Sequence, residues 1–382
     1  MRHDNSVLHQ VLQHVPWAGF ERLVEEHGAD KHVRRLSTKS QLVAMLYGQL
    51  SGASSLREVA SGLESHRARL YHLGVAQPRR STLADANALR PAEVFGGLFA
   101  LLLVQAHRGL RRTLWETTYL IDSTSLKLDA RSADWARFSH KVCGAKLHVI
   151  YDPDADQPVY AALSAANVND ITPAQAMPIE AGATYVFDLG YYDYRWWARL
   201  DDAGCRIVTR FKKNTPLNLI KEQRVPKGSN ILSDRIGYLP KRQTYNRQNP
   251  FANAVREVRL KTDTGKILRI LSNDLDAKAQ EIADLYKRRW AIELFFRWIK
   301  QTLNITHFLG TSQNAVRIQI ATALIAFLLL RLAQALQQAV KSPLAFARLV
   351  RANLMHRRRL DSLLEPQDQT PKNPLQLAIQ WR

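Results

Sequence analysis

A chain of 382 residues, 46% hydrophobic and 23% charged, carries enough apolar content for two or three domains with a sizeable core, which excludes a disordered chain. Its 54 Lys and Arg against 34 Asp and Glu give a net charge of +20, spread along the whole length, and point to a polyanion, nucleic acid before an anionic membrane. The most apolar run, 320–330, falls short of the roughly 20 residues a membrane span needs and is closed by Arg317 and Arg331. The N-terminus has no apolar signal core, and Cys143 and Cys205 suggest neither a disulfide framework nor a metal site, so a reduced, cytoplasmic protein is expected.

Residues 1–112 read as an all-helical N-terminal domain that binds DNA. Helices are expected over 41–50, capped by Thr38 or Ser40, over 56–63, capped by Ser54 or Ser55 with Glu58 completing a capping box, over 82–89 after Ser81, and over 94–107. Arg34, Arg35, Arg67, Arg69, Arg79, Arg80 and Arg90 recur at the breaks, as DNA-backbone contacts would require. A helical bundle with a solvated surface is the plainer alternative.

The pattern then changes to that of a mixed sheet with helices over 113–210. Strands are expected at 114–121, 145–151, 159–163, 184–187 and 205–209, the first three as an antiparallel meander, with helices at 173–180 and 193–200. Residues 211–275 read as a β-rich insertion with strands at 256–260 and 266–271. A second core segment, 276–335, opens with one long helix over 276–303 and continues into one or two buried helices within 315–340. A basic helical tail, 336–382, carries Arg351, Arg357, Arg358 and Arg359 and ends in a mobile stretch from 366.

On the 276–303 helix, Leu285, Ile292, Phe296, Ile299 and Leu303 share an apolar stripe, while Tyr286, Arg289, Glu293, Arg297 and Lys300 fall in a neighbouring one. The plainer reading is a solvated face in which Glu293 pairs with Arg289 and Arg297 at four-residue spacings. Asp122 and Asp188 each close an apolar strand and open a turn, at a sheet rim where sites form; a turn or capping role is the alternative. If the three acids meet, their repulsion calls for hard divalent cations, Mg²⁺ or Mn²⁺, two of which would activate water or a 3′-hydroxyl in phosphodiester chemistry. Trp290 or Trp298 can stack on an unpaired base, although core packing is the commoner fate of large aromatics. Lys146 and His148 share one strand face, which either approaches DNA or is solvated.

The Tyr286, Arg289, Glu293, Lys300 spacing resembles the Y-R-E-K signature of the DDE transposases of insertion sequence family four. Asp188-Leu189-Gly190-Tyr191 resembles that family's second-aspartate motif, and Ile121-Asp122-Ser123-Thr124 its first. The resemblance implies an α/β, ribonuclease-H-like mixed sheet flanked by helices, with a β-rich insertion before the last catalytic helix and an all-α domain in front. It implies Asp122, Asp188 and Glu293 as catalytic metal ligands for two Mg²⁺ ions, with Mn²⁺ as a substitute. It implies that Tyr286, Arg289 and Lys300 grip transposon-end DNA, to which Arg297 and Trp290 are added here as candidates. Double-stranded DNA, as terminal inverted repeats and target, is then the partner, with a homodimer in the synaptic complex and no covalent enzyme intermediate. A non-catalytic repressor derived from a transposase is the alternative.

Overall fold

The computed structural model describes residues 5–110, 117–139, 142–225, 227–242, 248–337 and 339–365. The start of the first expected strand, at 114–116, and the stretch expected to be mobile from 366 lie outside the described residues.

The N-terminal segment is helical as expected: α1 (Val7–Leu12), α2 (Trp17–Glu26), α3 (Thr38–Ser51), α4 (Leu56–Ser65), α5 (Arg67–Leu73), α6 (Arg80–Leu89) and α7 (Ala92–Leu110). The caps differ from expectation. The Ser37 hydroxyl, rather than Thr38 or Ser40, accepts the Ser40 amide at the head of α3, and Gly52 ends that helix with φ +78°, a left-handed turn that favours glycine. At α4, Ser55 accepts the Glu58 amide while Glu58 reaches one residue further back, to the Ser54 amide at 2.8 Å. Ser81 lies inside α6 rather than ahead of it. Arg90 is buried and bonds to Gln41 Oε1 and the Leu36 carbonyl, so it holds the bundle together and is not a surface contact. Arg34, Arg35, Arg67, Arg79 and Arg80 are exposed.

The sheet segment follows with β1 (Thr118–Leu128), the one-turn α8 (Ala133–Ala136), β2 (Cys143–Asp152), β3 (Gln157–Ala165), the one-turn α9 (Ile171–Ala174), β4 (Thr184–Phe187), α10 (Tyr194–Asp202) and β5 (Arg206–Arg210). Strands β1, β2 and β3 form the expected antiparallel meander. Strands β4 and β5 run parallel to β1, giving the order β3-β2-β1-β4-β5, a ribonuclease-H-like arrangement. The expected helix at 173–180 shrinks to α9.

The insertion supplies β6 (Asn218–Glu222), β7 (Ile231–Tyr238), β8 (Ala254–Lys261) and β9 (Ile267–Ser272). It is continuous with the sheet of β1 to β5: β9 pairs antiparallel with β5, and the nine strands run β3-β2-β1-β4-β5-β9-β8-β7-β6. Its two early strands were hidden in the sequence by polar composition; β6 is exposed throughout.

The helix expected over 276–303 is two helices, α11 (Ala279–Arg288) and α12 (Trp290–Thr302). Around Arg289 the backbone ladder slips to three-residue spacing, with Arg289 N–H bonded to the Tyr286 carbonyl and Ile292 N–H to the Arg289 carbonyl; such tightening breaks the regular α-helical run. The apolar stripe reads correctly: Leu285, Ile292, Phe296, Ile299 and Leu303 are all buried.

Helix α13 (Gln313–Ala335) is capped by Ser312 and followed by α14 (Pro343–Asn353). At 23 residues, with a stretch of mean hydropathy 1.9 within it, α13 is long and apolar enough to cross a membrane, which corrects the length argument drawn from 320–330. Its burial explains its composition instead. It packs on α7, α3, α6, α14 and α1, and each fully buried Leu or Ile contributes about 1.5–3 kcal/mol. One apolar core runs from these N-terminal helices through α13 to one face of the sheet. A second, aromatic-rich core with Phe187, Tyr191, Trp196 and Trp197 covers the other face. Beyond 336 the described residues are packed rather than a loose tail: Phe346 and Val350 are buried, and Arg351 bonds to the Leu50 and Thr302 carbonyls.

Candidate active site

Sheet register brings the first two acids side by side. Ile121 and Phe187 are partners across the parallel β1–β4 pair, and Asp122 and Asp188 are the residues that follow each. Asp188 does end its strand: its Oδ1 accepts the Gly190 amide at 2.7 Å and caps the turn Leu189–Tyr191. Asp122 does not. β1 runs on to Leu128, so Asp122 sits within the strand, at the point where its parallel neighbour stops.

The third acid arrives on α12. The break at Arg289 lets that side chain meet both ends of the group: Nη1 donates to Asp122 Oδ2 at 3.1 Å, and Nη2 donates to Glu293 Oε1. Asp122 and Arg289 side chains are each 17% exposed, Glu293 32%. Burial pushes the Asp122 carboxyl up to about 6; repulsion from Asp188 and Glu293 adds to this, while the Ser123 amide and Arg289 oppose it. A carboxyl held that high marks a buried site, in which two neighbouring acids add to the cost of its charge and one guanidinium offsets part of it.

Among the described residues, no three His, Cys, Asp or Glu side chains are gathered tightly enough to hold a metal ion as placed; the guanidinium of Arg289 lies between Asp122 and Glu293. The donor chemistry nonetheless suits a hard divalent cation, since all three candidate ligands are carboxylates.

The rest of the helical motif spreads outward from that point. Tyr286 is buried, and the Arg289 guanidinium lies 5.8 Å from its ring centre. Lys300 is half-buried, and burial lowers its ammonium from the usual range. Arg297 is exposed and lies 6.0 Å from the Trp290 ring; the Glu293 partner is Arg289, and the expected second pair with Arg297 is not among the described ion pairs. Trp290 is 52% exposed, so the core-packing reading fails for it, whereas Trp298 packs edge-on against Phe327 as a core residue would. Trp290, Arg289 and Tyr286 also line a cavity of about 390 Å³ between α11 and the insertion strands, walled by Leu260, Leu268 and Ile270.

Several acids are the turn and cap groups they resemble in the sequence: Asp129, Asp152, Asp193 and Asp274 each accept nearby backbone amides. Sequence reasoning missed Asp170. It lies after β3, beside Asn169, where nothing in the local pattern separates it from an ordinary turn acid. In the structure it accepts the Ser123 hydroxyl at 3.0 Å and Lys146 Nζ at 2.9 Å. The face shared by Lys146 and His148 is neither solvated nor open to DNA at His148, which is fully buried with Nε2 2.8 Å from Ser164 Oγ.

Comparison with known proteins places this geometry in a family. A family model described as a transposase DDE domain matches residues 116–329, and one described as a domain of unknown function matches residues 3–76. A protein of Sinorhizobium fredii (strain NBRC 101917 / NGR234) named as transposase y4zB is 39% identical over 301 residues, 78% of this chain and 82% of its own length. One of Geobacillus stearothermophilus named as a transposase for insertion sequence element IS5377 is 29% identical over 262 residues, 68% of each chain. The cryo-EM structure of a piggyBac transposase synaptic complex with hairpin DNA aligns with a TM-score of 0.47 at 11% identity, covering 97% of this chain and 84% of that one. With the DDE domain filling more than half of its length and insertion-sequence transposases among its relatives, this chain belongs to the DDE transposase family.

Proposed function

We propose that the chain binds the terminal inverted repeats of an insertion sequence, cuts them by divalent-metal-dependent phosphodiester hydrolysis and joins the 3′ ends to target DNA. The observation that carries this reading is the convergence of Asp122 and Glu293 on one guanidinium, with Asp188 one register step away and the Asp122 carboxyl held near 6. Asp122, Asp188 and Glu293 would hold Mg²⁺, or Mn²⁺ in its place, as hard oxygen ligands. Two such ions, when bound, supply the activated water or 3′-hydroxyl and stabilise the leaving oxygen.

The chain's own residues do the rest. Asp188 is oriented by the Gly190 amide and Asp122 by the Ser123 amide, which fixes one oxygen of each carboxylate. Arg289, Tyr286 and Lys300 form a graded basic and polar surface along α11 and α12 that holds the phosphate backbone next to the acids. Arg297 adds a phosphate contact at the exposed edge. Trp290, half in solvent above an apolar cavity, offers a face on which an unpaired base stacks. The exposed arginines of the N-terminal helical segment, 1–112, extend the DNA footprint, the strands at 113–210 and the helices at 276–335 make up the core, and two copies bring two ends together. The reaction takes place in the cytoplasm at the nucleoid.

The test is a labelled 3′ end incubated with target plasmid, with and without Mg²⁺. Covalent transfer of label in Mg²⁺ alone supports the reading. End binding with neither cutting nor joining is the outcome expected of a repressor derived from a transposase, and cutting without joining that of a nuclease.

A further inference from the structure

Behind the two aspartate motifs lies a polar cluster to which no function is yet attached. Lys146 on β2 donates to Asp170 Oδ1 at 2.9 Å and to the Val168 carbonyl at 3.0 Å. The same Asp170 oxygen accepts the hydroxyl of Ser123 at 3.0 Å, and the Ser123 amide in turn donates to Asp122 Oδ1 at 2.8 Å. The other oxygen, Oδ2, faces the second motif. A Cβ built on Gly190 would lie 3.1 Å from Asp170 Oδ2 and 3.0 Å from Asp188 Oδ1. Two carboxylates therefore close on the same glycine from two sides, and any side chain at 190 would drive them apart.

His148 also faces this cluster, its Nδ1 4.0 Å from Asp170 Oδ1. Burial pulls its pKa down to about 4, with Lys146 adding to the fall and Asp170 opposing it, so it is neutral near pH 7. The lysine is thus the cation that balances Asp170. The pair is well shielded, with side-chain exposures of 20% for Lys146 and 23% for Asp170, so its charges are felt in the neighbouring pocket with little screening.

We infer that Lys146 and Asp170 are positioning residues: a charge-balanced clamp that ties the Asp122 strand to the Asp188 turn and sets how tightly the pocket holds a divalent cation. The inference rests on the reading of Asp122 and Asp188 as cation ligands. The clamp's two halves act in opposite directions. Removing the ammonium leaves an extra negative charge beside the pocket, and removing the carboxylate leaves an extra positive one.

The experiment is Mn²⁺ binding to the full chain, followed by the electron paramagnetic resonance signal of free Mn²⁺, for the parent protein, K146M, D170N, the double variant and D170E. Asp170→Asn is expected to weaken Mn²⁺ binding roughly tenfold and Lys146→Met to tighten it a few-fold, as a single unit charge at this range implies. The double variant returns to within about threefold of the parent, and Asp170→Glu keeps most of the affinity. A clamp that merely packs would move both single variants the same way, and that result overturns the inference, as does a shift below about twofold in both. Should Asp170→Asn fail to fold, the sign of the Lys146→Met shift decides alone. Asp122→Asn serves as the control for the underlying reading: if it binds Mn²⁺ as the parent does, the catalytic assignment itself is wrong, whatever the clamp variants do.

Discussion

The Arg289 guanidinium lies 3.1 Å from Asp122 Oδ2 and also bonds to Glu293, spanning two acids that sit 171 positions apart in the sequence. It is a cation held by the protein itself in a pocket whose carboxylates favour one. On the proposed reading, divalent ions would replace the guanidinium between the acids and leave it to contact the phosphate backbone. Arg289→Ala is therefore expected to lower the Tm of the metal-free protein by a few degrees, on the order of 1–2 kcal/mol for a half-buried pair. Mg²⁺ restores much of that loss, while affinity for end DNA falls. Thermal melts with and without Mg²⁺, paired with a DNA-binding titration, check all three effects.

Asp122 carries a cost in the metal-free fold. Its carboxyl, at about 6, is raised from an ordinary value near 3.8, first by burial. A raised acid binds its proton more tightly when folded, so stability falls as pH rises from about 4 to about 6 and stays low above that. Asp122→Asn removes the charge, keeps the shape and is expected to stabilise the metal-free protein at pH 7 by roughly 1–3 kcal/mol. Melts from pH 4 to pH 7 should show the variant's advantage over the parent growing through this window and levelling above it.

Gly190 has no room for a side chain. With Asp188 Oδ1 and Asp170 Oδ2 at 3.0 and 3.1 Å from the Cβ position, Gly190→Ala must displace one carboxylate. Misplacing a catalytic group by about 1 Å lowers rates by about 10²-fold, which is the upper bound for a shift of a few tenths of an ångström. The expectation is a partial loss of end cleavage below that bound, with melting temperature and end binding close to the parent's.

The insertion stands on its own buried ion pairs. Glu257, 1% exposed, accepts from Arg259 at 2.8 Å and from Arg269. Burial alone would raise its pKa, yet the bonds from the two guanidiniums outweigh it and hold the carboxyl below its ordinary value near 4.5. For a depressed acid the stabilisation is present above the ordinary value and is lost as pH falls through the folded one. Glu257→Gln is expected to cost about 3 kcal/mol at pH 7, and the gap from the parent closes as pH falls through the lowered folded value. A pH series of denaturant unfolding curves measures it.

Motif spacing located the acids, and periodicity located the helices that seat them, because both depend on local sequence. The helical wheel of 276–303 places its buried stripe correctly yet misses the break, since Arg289 is locally a good helix former and nothing in the sequence beside it marks the slip to three-residue spacing. Asp122 reads as a strand end because it closes an apolar run; pairing with β2 through Leu128↔Cys143 carries the strand on. The insertion's continuity with the catalytic sheet rests on the long-range β5–β9 pairing, which leaves no local trace. Asp170 was invisible for the same reason: its meaning comes from Lys146, Ser123 and Gly190, none of them near it in sequence. Trp290 lies outside the core, 52% exposed and beside Arg297, which its size alone does not foretell.

Single-turnover cleavage of cognate ends in Mg²⁺ by D122N, D188N and E293Q, each alongside a measured end-binding affinity, probes the three acids most directly. Each variant should bind ends about as the parent does and lose cleavage by roughly 10³-fold or more, as expected when a group that holds the catalytic ions is removed. Cleavage at the parent's rate by any one of them would remove that residue from the reaction, and cleavage by all three would remove the site.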